Sequence, residues 1–372
     1  MLPYVSRLTR VLSSRLGWNR ARLKLMTRLI RAALKLTTTN LAKLAIAMKP
    51  DVKTASTYRR IQRFFAGFAF DYAEFGRLLL RLVPTDPPYV AVIDRTEWHF
   101  GQTPINVLMV GVAHDGIAFP IVWTALDHGG GSGAGEHVRV LDQFLRVVER
   151  EQIQALVADR EFTGGDFLRA LKDRGVPFVI RIKRDRRVGR SPESPLLPVR
   201  MFMRALSEGQ SRRLDGERVL GGAQSVSVQV AGGRLSDGSM LILAARAVDS
   251  DAVDSEALFA LYRRRWEIET LFAALKSRGF DLEATHLTAP GRIRKLLGVL
   301  ALAYSWARLI GRDRQNREGP PRRCAHGYRA RSLFRYGLDR LQEILLNPQH
   351  MQDELHRCLR ALTHPNSFLS CS

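Results

Sequence analysis

Cysteine is scarce in this 372-residue chain: Cys324, Cys358 and Cys371 are the only three, and none stands at Cys-x2-Cys or Cys/His spacing. That excludes a recognisable zinc site or disulfide framework and points to a reducing cytoplasm. A long uncharged apolar run is also missing. The longest, Leu296 to Ala307, falls short of the roughly 20 residues a bilayer crossing needs. Near the N-terminus, Arg7, Arg10, Arg15 and Arg20 interrupt what would be the apolar core of a signal peptide. The glycine-rich stretch Gly129 to Gly135 lacks the Gly-Lys-Ser/Thr ending of a phosphate-binding loop, so no nucleotide is assigned to it. Acid is absent from the whole first fifty residues, whereas 11 Lys and Arg lie between Arg7 and Lys49.

What is present in excess is positive charge. Fifty-eight Lys and Arg against 36 Asp and Glu leave a net charge of +22. Residues 1–88 alone carry 17 basic against 4 acidic residues, a net +13 and more than half of the total. Such a balance suits a polyanion, most simply nucleic acid. An anionic membrane surface is the competing partner, but no amphipathic anchor rich in Lys and Trp stands out. With 45% apolar and 25% charged residues, the chain otherwise has the composition of a globular protein large enough for two or three domains.

The basic first part, 1–88, reads as helical: apolar spacing predicts a helix over Leu23 to Leu36, and Thr37-Thr-Thr-Asn40 offers caps for another over Leu41 to Met48. After the break at Pro50-Asp51, a helix over Thr54 to Phe65 carries Tyr58, Arg59, Arg60 and Arg63, the outline of a helix-turn-helix DNA reader. Pro84 to Pro88 reads as a linker. Strands are then predicted over Tyr89 to Ile93, ending on Asp94, over Asn106 to Val112 and over Ala118 to Leu126, with Asp115-Gly116 as a hairpin turn. A helix over Glu136 to Glu151, a strand over Ile153 to Ala158 ending on Asp159, a helix over Gly165 to Arg174 and a strand over Pro177 to Ile182 follow. This order matches a ribonuclease H-like α/β core, with ligands expected at strand ends. The core's first part is 89–182, interrupted by a β-rich insertion at 183–250 that opens on a basic run, Lys183 to Arg190. Its second part is 251–310, and 311–372 forms a basic and helical C-terminal region.

In the segment Leu261 to Lys276, the polar residues Tyr262, Arg265, Glu269 and Lys276 fall at offsets that a continuous helix would bring within roughly 60° of one another. Leu261, Ile268, Leu271 and Leu275 would seat the neighbouring face on a core. A carboxylate beside a guanidinium and an ammonium suits a metal next to a phosphodiester. Asp94 and Asp159, both directly after buried-type strands, add two more hard oxygens, and a buried carboxylate is costly unless paired or bound to metal. Each also has a bland reading: Asp94 and Asp159 could pair with the adjoining Arg95 and Arg160, leaving Glu97 or Glu161 as the functional acid.

These motifs resemble those of a known family. Val-Ile-Asp94-Arg-Thr-Glu-Trp-His-Phe-Gly, Ala-Asp159-Arg-Glu-Phe and Tyr262-x2-Arg265-x3-Glu269-x6-Lys276 are similar to the signatures of bacterial insertion-sequence transposases of the Asp-Asp-Glu type. The last spacing resembles the Tyr-Arg-Glu-Lys signature of the insertion-sequence-four family, and the likeness extends to Pro120 to Thr124, the insertion, and His326 to Gly337. The resemblance implies that Asp94, Asp159 and Glu269 form a catalytic triad binding Mg²⁺, with Mn²⁺ as a substitute. It implies that Tyr262, Arg265 and Lys276 hold DNA phosphates. The implied activity is cleavage at transposon ends and joining of the freed 3′-hydroxyls to target DNA. The implied partners are double-stranded DNA, both terminal inverted repeats and target, and a second protomer in a homodimeric complex on the nucleoid. Some relatives stack a flipped base on a Trp of the insertion, but residues 183–250 contain no Trp and only one aromatic, Phe202.

Other residues carry expectations of their own. Trp266 reads as a core aromatic, and His99 as structural. The amphipathic segment Leu333 to Leu346 would either pair two protomers or close the core. Two alternatives to transposition are a catalytically idle DNA-binding relic and a nuclease of the same fold that does not join strands.

Overall fold

The computed structural model describes residues 3–48, 53–221, 226–246, 254–322, 324, 330–363 and 365. Five helices come first: α1 (Pro3–Ser13), α2 (Arg20–Leu36), α3 (Leu41–Ala47), α4 (Thr54–Gly67) and α5 (Tyr72–Leu80). Side chains set their starts. Asn19 accepts from the N–H of Ala21, Asn40 from those of Ala42 and Lys43, and Asp71 from those of Ala73 and Glu74, satisfying donors that have no partner inside the helix. The three expected helices are therefore present. Neither α1 nor α5 was anticipated, and the break at Pro50-Asp51 lies outside the described residues.

The strands β1 (Tyr89–Phe100), β2 (Thr103–His114) and β3 (Ile117–Leu126) form an antiparallel meander. Asp115 and Gly116 turn between the last two with φ of 53° and 80°, the left-handed pair that a tight hairpin requires. After α6 (Ala134–Leu145), β4 (Ile153–Ala158) runs parallel to β1; after α7 (Gly165–Asp173), β5 (Phe178–Arg181) runs parallel to β4. The order β3-β2-β1-β4-β5 with these directions is that of a ribonuclease H-like core. All of Tyr89 to Ile93 is buried, so the sheet is covered on both faces, which explains an apolar run without alternation.

Several boundaries shift by two or three residues, and two differ by more. The strand that was to end on Asp94 continues to Phe100, because Arg95 to Phe100 pair with Leu108 back to Thr103 on β2. The helix expected to reach Glu151 stops at Leu145, where the N–H groups of Val147 and Val148 both turn back to the carbonyl of Phe144. That turn buries Val148 and aims the chain into β4.

The β-rich segment contains β6 (Arg187–Gly189), β7 (Leu197–Pro198), the short α8 (Arg200–Met203), β8 (Ser211–Arg213), β9 (Arg218–Leu220), β10 (Val226–Arg234) and β11 (Met240–Arg246). Strand β11 pairs antiparallel with β5, Leu243 opposite Arg181, and β10 pairs with β11. The insertion thus extends the core sheet to eleven strands among the described residues.

Last come α9 (Ser255–Arg263), α10 (Trp266–Leu275), α11 (Pro290–Glu318), α12 (Leu333–Leu346) and α13 (Gln352–Ala361). The apolar run Leu296 to Ala307 is the buried middle of α11, which packs against β3, α2 and α12. Among the described residues, no helix is long and apolar enough to cross a membrane. Helix α12 meets α11 where Gly337 faces Gly311; a methyl on Gly311 would overlap the carbonyl oxygen of Leu333, and one on Gly337 that of Ala307. This close crossing settles one alternative, since α12 closes the core. His326 to Arg329 of the C-terminal motif lie outside the described residues.

Candidate active site

Strand register brings the first two acids together. Ile93 lies opposite Ala158 in the last parallel pair of β1 and β4, so Asp94 and Asp159 follow side by side where β4 ends and β1 continues, paired only with β2. Asp94 accepts the N–H of Arg95 at 2.8 Å and has only 18% of its side chain exposed. Burial pushes its carboxyl up to about 6; Glu269 and Asp159 add to the rise, while the Arg95 N–H and Arg265 oppose it. Asp159 accepts the Tyr262 hydroxyl at 3.4 Å and has Arg181 at 4.0 Å. Burial, reinforced by Asp159, pushes the Tyr262 phenol up to about 12.

The third acid arrives on a broken helix. Residues Leu261 to Lys276 are not one continuous helix: α9 stops at Arg263 and α10 starts at Trp266. Across the junction the bonds tighten to three-residue spacing, Arg264 N–H to Leu261 O, Arg265 N–H to Tyr262 O, Glu267 N–H to Arg264 O and Ile268 N–H to Arg265 O. Lys276 has left the helix, with ψ of −121°. The expected single stripe is therefore divided among α9, the junction, α10 and the residue after it. Even so, the junction brings Arg265 between two acids: its Nη1 donates to Asp94 Oδ2 at 3.2 Å and its Nη2 to Glu269 Oε1 at 2.8 Å. Ile268, Leu271 and Leu275 bury the opposite face as expected, and Leu261 is partly buried.

Neither adjoining arginine pairs with its aspartate through the side chain. Arg95 reaches instead to Glu97 and Glu161, both at 2.9 Å. Glu161 also accepts from the N–H and hydroxyl of Ser132, and Glu97 from the N–H of Gly130. Burial opposes ionisation of Glu161, but the bonds from Ser132 and Arg95 outweigh it and hold the carboxyl below its ordinary range. These two acids thus anchor the glycine-rich loop to the sheet, helped by Asn106, whose amide donates to the carbonyls of His128 and Gly130. Sequence reasoning assigned nothing to Asn106, Ser132 or Arg181, and a buried Asn within an apolar strand was the one available signal.

Lys276 donates to the carbonyl of Glu97 at 2.8 Å, lies 3.5 Å from Glu283 and sits 5.5 Å from the Trp98 ring centre. Trp266 is not core: it is 60% exposed, since the first residue of α10 points away from the face that buries Ile268 and Leu271. The Arg265 guanidinium lies 4.6 Å from its ring centre. His99 is exposed and 3.9 Å from Glu97. Arg59, Arg60 and Arg63 stand exposed on α4.

A family model described as the transposase DDE domain matches residues 86–306, which span both strand-borne acids and the α9–α10 junction. The chain belongs to that transposase family. No curated protein matches it in sequence. Among solved structures, the transposase is similar to the piggyBac transposase synaptic complex with hairpin DNA, at TM-score 0.41 and 11% identity over 96% of this chain and 82% of that one. It is also similar to endonuclease V from Bacillus subtilis, at TM-score 0.25 and 13% identity over 59% of this chain and 90% of that one. Strand order and the family match carry the fold; these distant likenesses add nothing to it.

The donor set of the transposase fits a hard divalent cation in its chemistry: three carboxylates close enough that Glu269 and Asp159 add to burial in disfavouring the Asp94 anion. Among the described residues, no three acidic, His or Cys side chains are already grouped as ligands. Asp94 and Glu269 are instead drawn to the same guanidinium.

Proposed function

We propose that this protein is an insertion-sequence transposase of the insertion-sequence-four type, cleaving DNA at the element's ends and joining the freed 3′-hydroxyls to target DNA. The observation that carries this reading is the convergence of Asp94, Asp159 and Glu269, from two adjacent strands and a helix, on Arg265 and Tyr262. Asp94, Asp159 and Glu269 would hold Mg²⁺, or Mn²⁺ in its place. The metal would supply positive charge beside the attacking and leaving oxygens of the phosphodiester.

The chain's own residues do the rest. Arg265 offers a planar fork to a phosphate's non-bridging oxygens, Lys276 a compact charge, and the protonated Tyr262 hydroxyl a neutral donor. In the first step water attacks the phosphorus at the element's end and the bridging P–O bond breaks, leaving a 3′-hydroxyl. In the second, that hydroxyl attacks a target phosphodiester, so one P–O bond forms as another breaks and no nucleotide triphosphate is consumed. Arg59, Arg60 and Arg63 on α4, exposed in an acid-poor region, contact the terminal inverted repeat through its phosphates. Two protomers hold two ends. The Tyr-Arg-Glu-Lys spacing supports the narrower family placement.

Purified protein incubated with Mg²⁺ and a plasmid carrying the element's terminal inverted repeats should yield end-cleaved and joined products. Cleavage without joined product would favour a nuclease, and repeat binding with neither product would favour an idle DNA-binding relic.

A further inference from the structure

The guanidinium of Arg265 occupies the same carboxylate oxygens that the proposed metal site needs. Its two terminal nitrogens divide between Asp94 at 3.2 Å and Glu269 at 2.8 Å, and its side chain is 7% exposed. A second cation placed on those oxygens would meet the guanidinium at contact distance, where little water screens the repulsion. The arginine is not fully satisfied in this position. Its buried Nε has no acceptor among the described residues, and a buried donor without a partner is a standing cost. Beside it lies the ring of Trp266, 4.6 Å from the guanidinium and 60% exposed, so a cation–π contact lies on the solvent side of the arginine.

We infer that Arg265 competes with the divalent cation for Asp94 and Glu269 and is drawn away by a DNA phosphate, so that metal and DNA each strengthen the other's binding. The inference rests on the proposed metal site. Without DNA, the guanidinium must give up at least one carboxylate before the metal gains it, and the metal binds weakly. A phosphate beside the site gives the displaced guanidinium a new anion, including for its Nε–H. Coupling of this kind is reciprocal by thermodynamic necessity. Its consequence is that the transposase holds metal firmly only when DNA is in place.

The test is Mn²⁺ binding to the full-length protein, followed by the loss of the free Mn²⁺ paramagnetic resonance signal, with and without duplex DNA and with a DNA-only blank subtracted. Arg265→Gln should bind Mn²⁺ about tenfold more tightly than wild type, the equivalent of one charge-assisted hydrogen bond. DNA should tighten Mn²⁺ binding to wild type by a larger factor than to Arg265→Gln, which keeps only the direct attraction between metal and phosphate. Arg265→Lys keeps the charge but cannot span both carboxylates, and should fall between the two; if the Gln variant does not fold, the Lys variant decides by binding more tightly than wild type. Equal or weaker Mn²⁺ binding by the folded variant would overturn the competition and make Arg265 a group that merely orients the acids. Wild-type Mn²⁺ binding untouched by Asp94→Asn and by Glu269→Gln would be a different failure, that of the metal site itself.

Discussion

The carboxylate centre and the N-terminal helices treat charge in opposite ways. At the centre every acid is held by a donor from the same chain: Asp94 and Glu269 by Arg265, Asp159 by Tyr262, and Glu97 and Glu161 by Arg95. On α4, Arg59, Arg60 and Arg63 face outward with no carboxylate partner among the described residues, in a stretch where α1 to α4 contain no acid at all. Charges compensated internally are placed by the fold, through contacts to named partners. Charges left uncompensated keep their field available to any partner with counter-charge and act at range through screened attraction. The first arrangement suits chemistry and the second suits binding.

The sharpest way to break this contrast is to remove one acid. Asp94→Asn, Asp159→Asn and Glu269→Gln should each lower end cleavage by on the order of 10³-fold, as loss of a preorganised charge at a reacting centre does, while binding of the terminal repeat by the N-terminal helices stays within about twofold of wild type. Cleavage and binding failing together in gel-shift and product assays would erase the division of labour.

A smaller effect concerns the cost of gathering acids. The Asp94 carboxyl lies at about 6 in the folded chain against an ordinary 3.8. The folded state therefore holds its proton more tightly, and the associated stability, complete below about pH 4, is lost as pH rises through about 6. In the presence of chelator, Asp94→Asn should flatten that fall and exceed wild type by about 2 kcal/mol at pH 7. Urea unfolding at a series of pH values reads this directly, and parallel curves for the two proteins would remove Asp94 from the account.

On the other side, Arg59→Glu with Arg60→Glu should weaken binding to the repeat by about tenfold at low salt and reduce the slope of log affinity against log salt by about 2. Fold and strand chemistry on a pre-nicked end should be unaffected. An unchanged slope would move the DNA surface off α4. The smallest effect is expected at Trp266→Ala, exposed beside Arg265, which should shift unfolding by about 0.5 kcal/mol or less. A larger loss would mean that the indole is buried against something in solution.

Much of the scaffold was legible from local pattern. The run Tyr89 to Ile93 and the run Ile153 to Ala158 are strands as read, the turn Asp115-Gly116 closes its hairpin, and the cap Asn40 opens its helix, because each depends on residues within a few positions of one another. Less legible was anything set by distant partners. Strand β1 outruns Asp94 because β2 supplies hydrogen bonds to its second half, and α12 closes the core because Gly311 and Gly337, 26 positions apart, allow two helices to touch. Trp266 was misread as core, since residue type suggested burial while the helix break behind it decided its direction.

By itself, the sequence determined the charge excess, the order of elements and the identity of three acids in three motifs, properties that residue type and spacing carry directly. Only the tertiary structure decided which cation each acid meets. Arg95, adjacent to Asp94, turns away to Glu97 and Glu161, whereas Arg265, 171 positions away, takes Asp94 and Glu269. The physical reason is the pleat and the helix break: neighbours along a strand point to opposite faces, and the tightened junction between α9 and α10 turns one arginine into the space between two carboxylates.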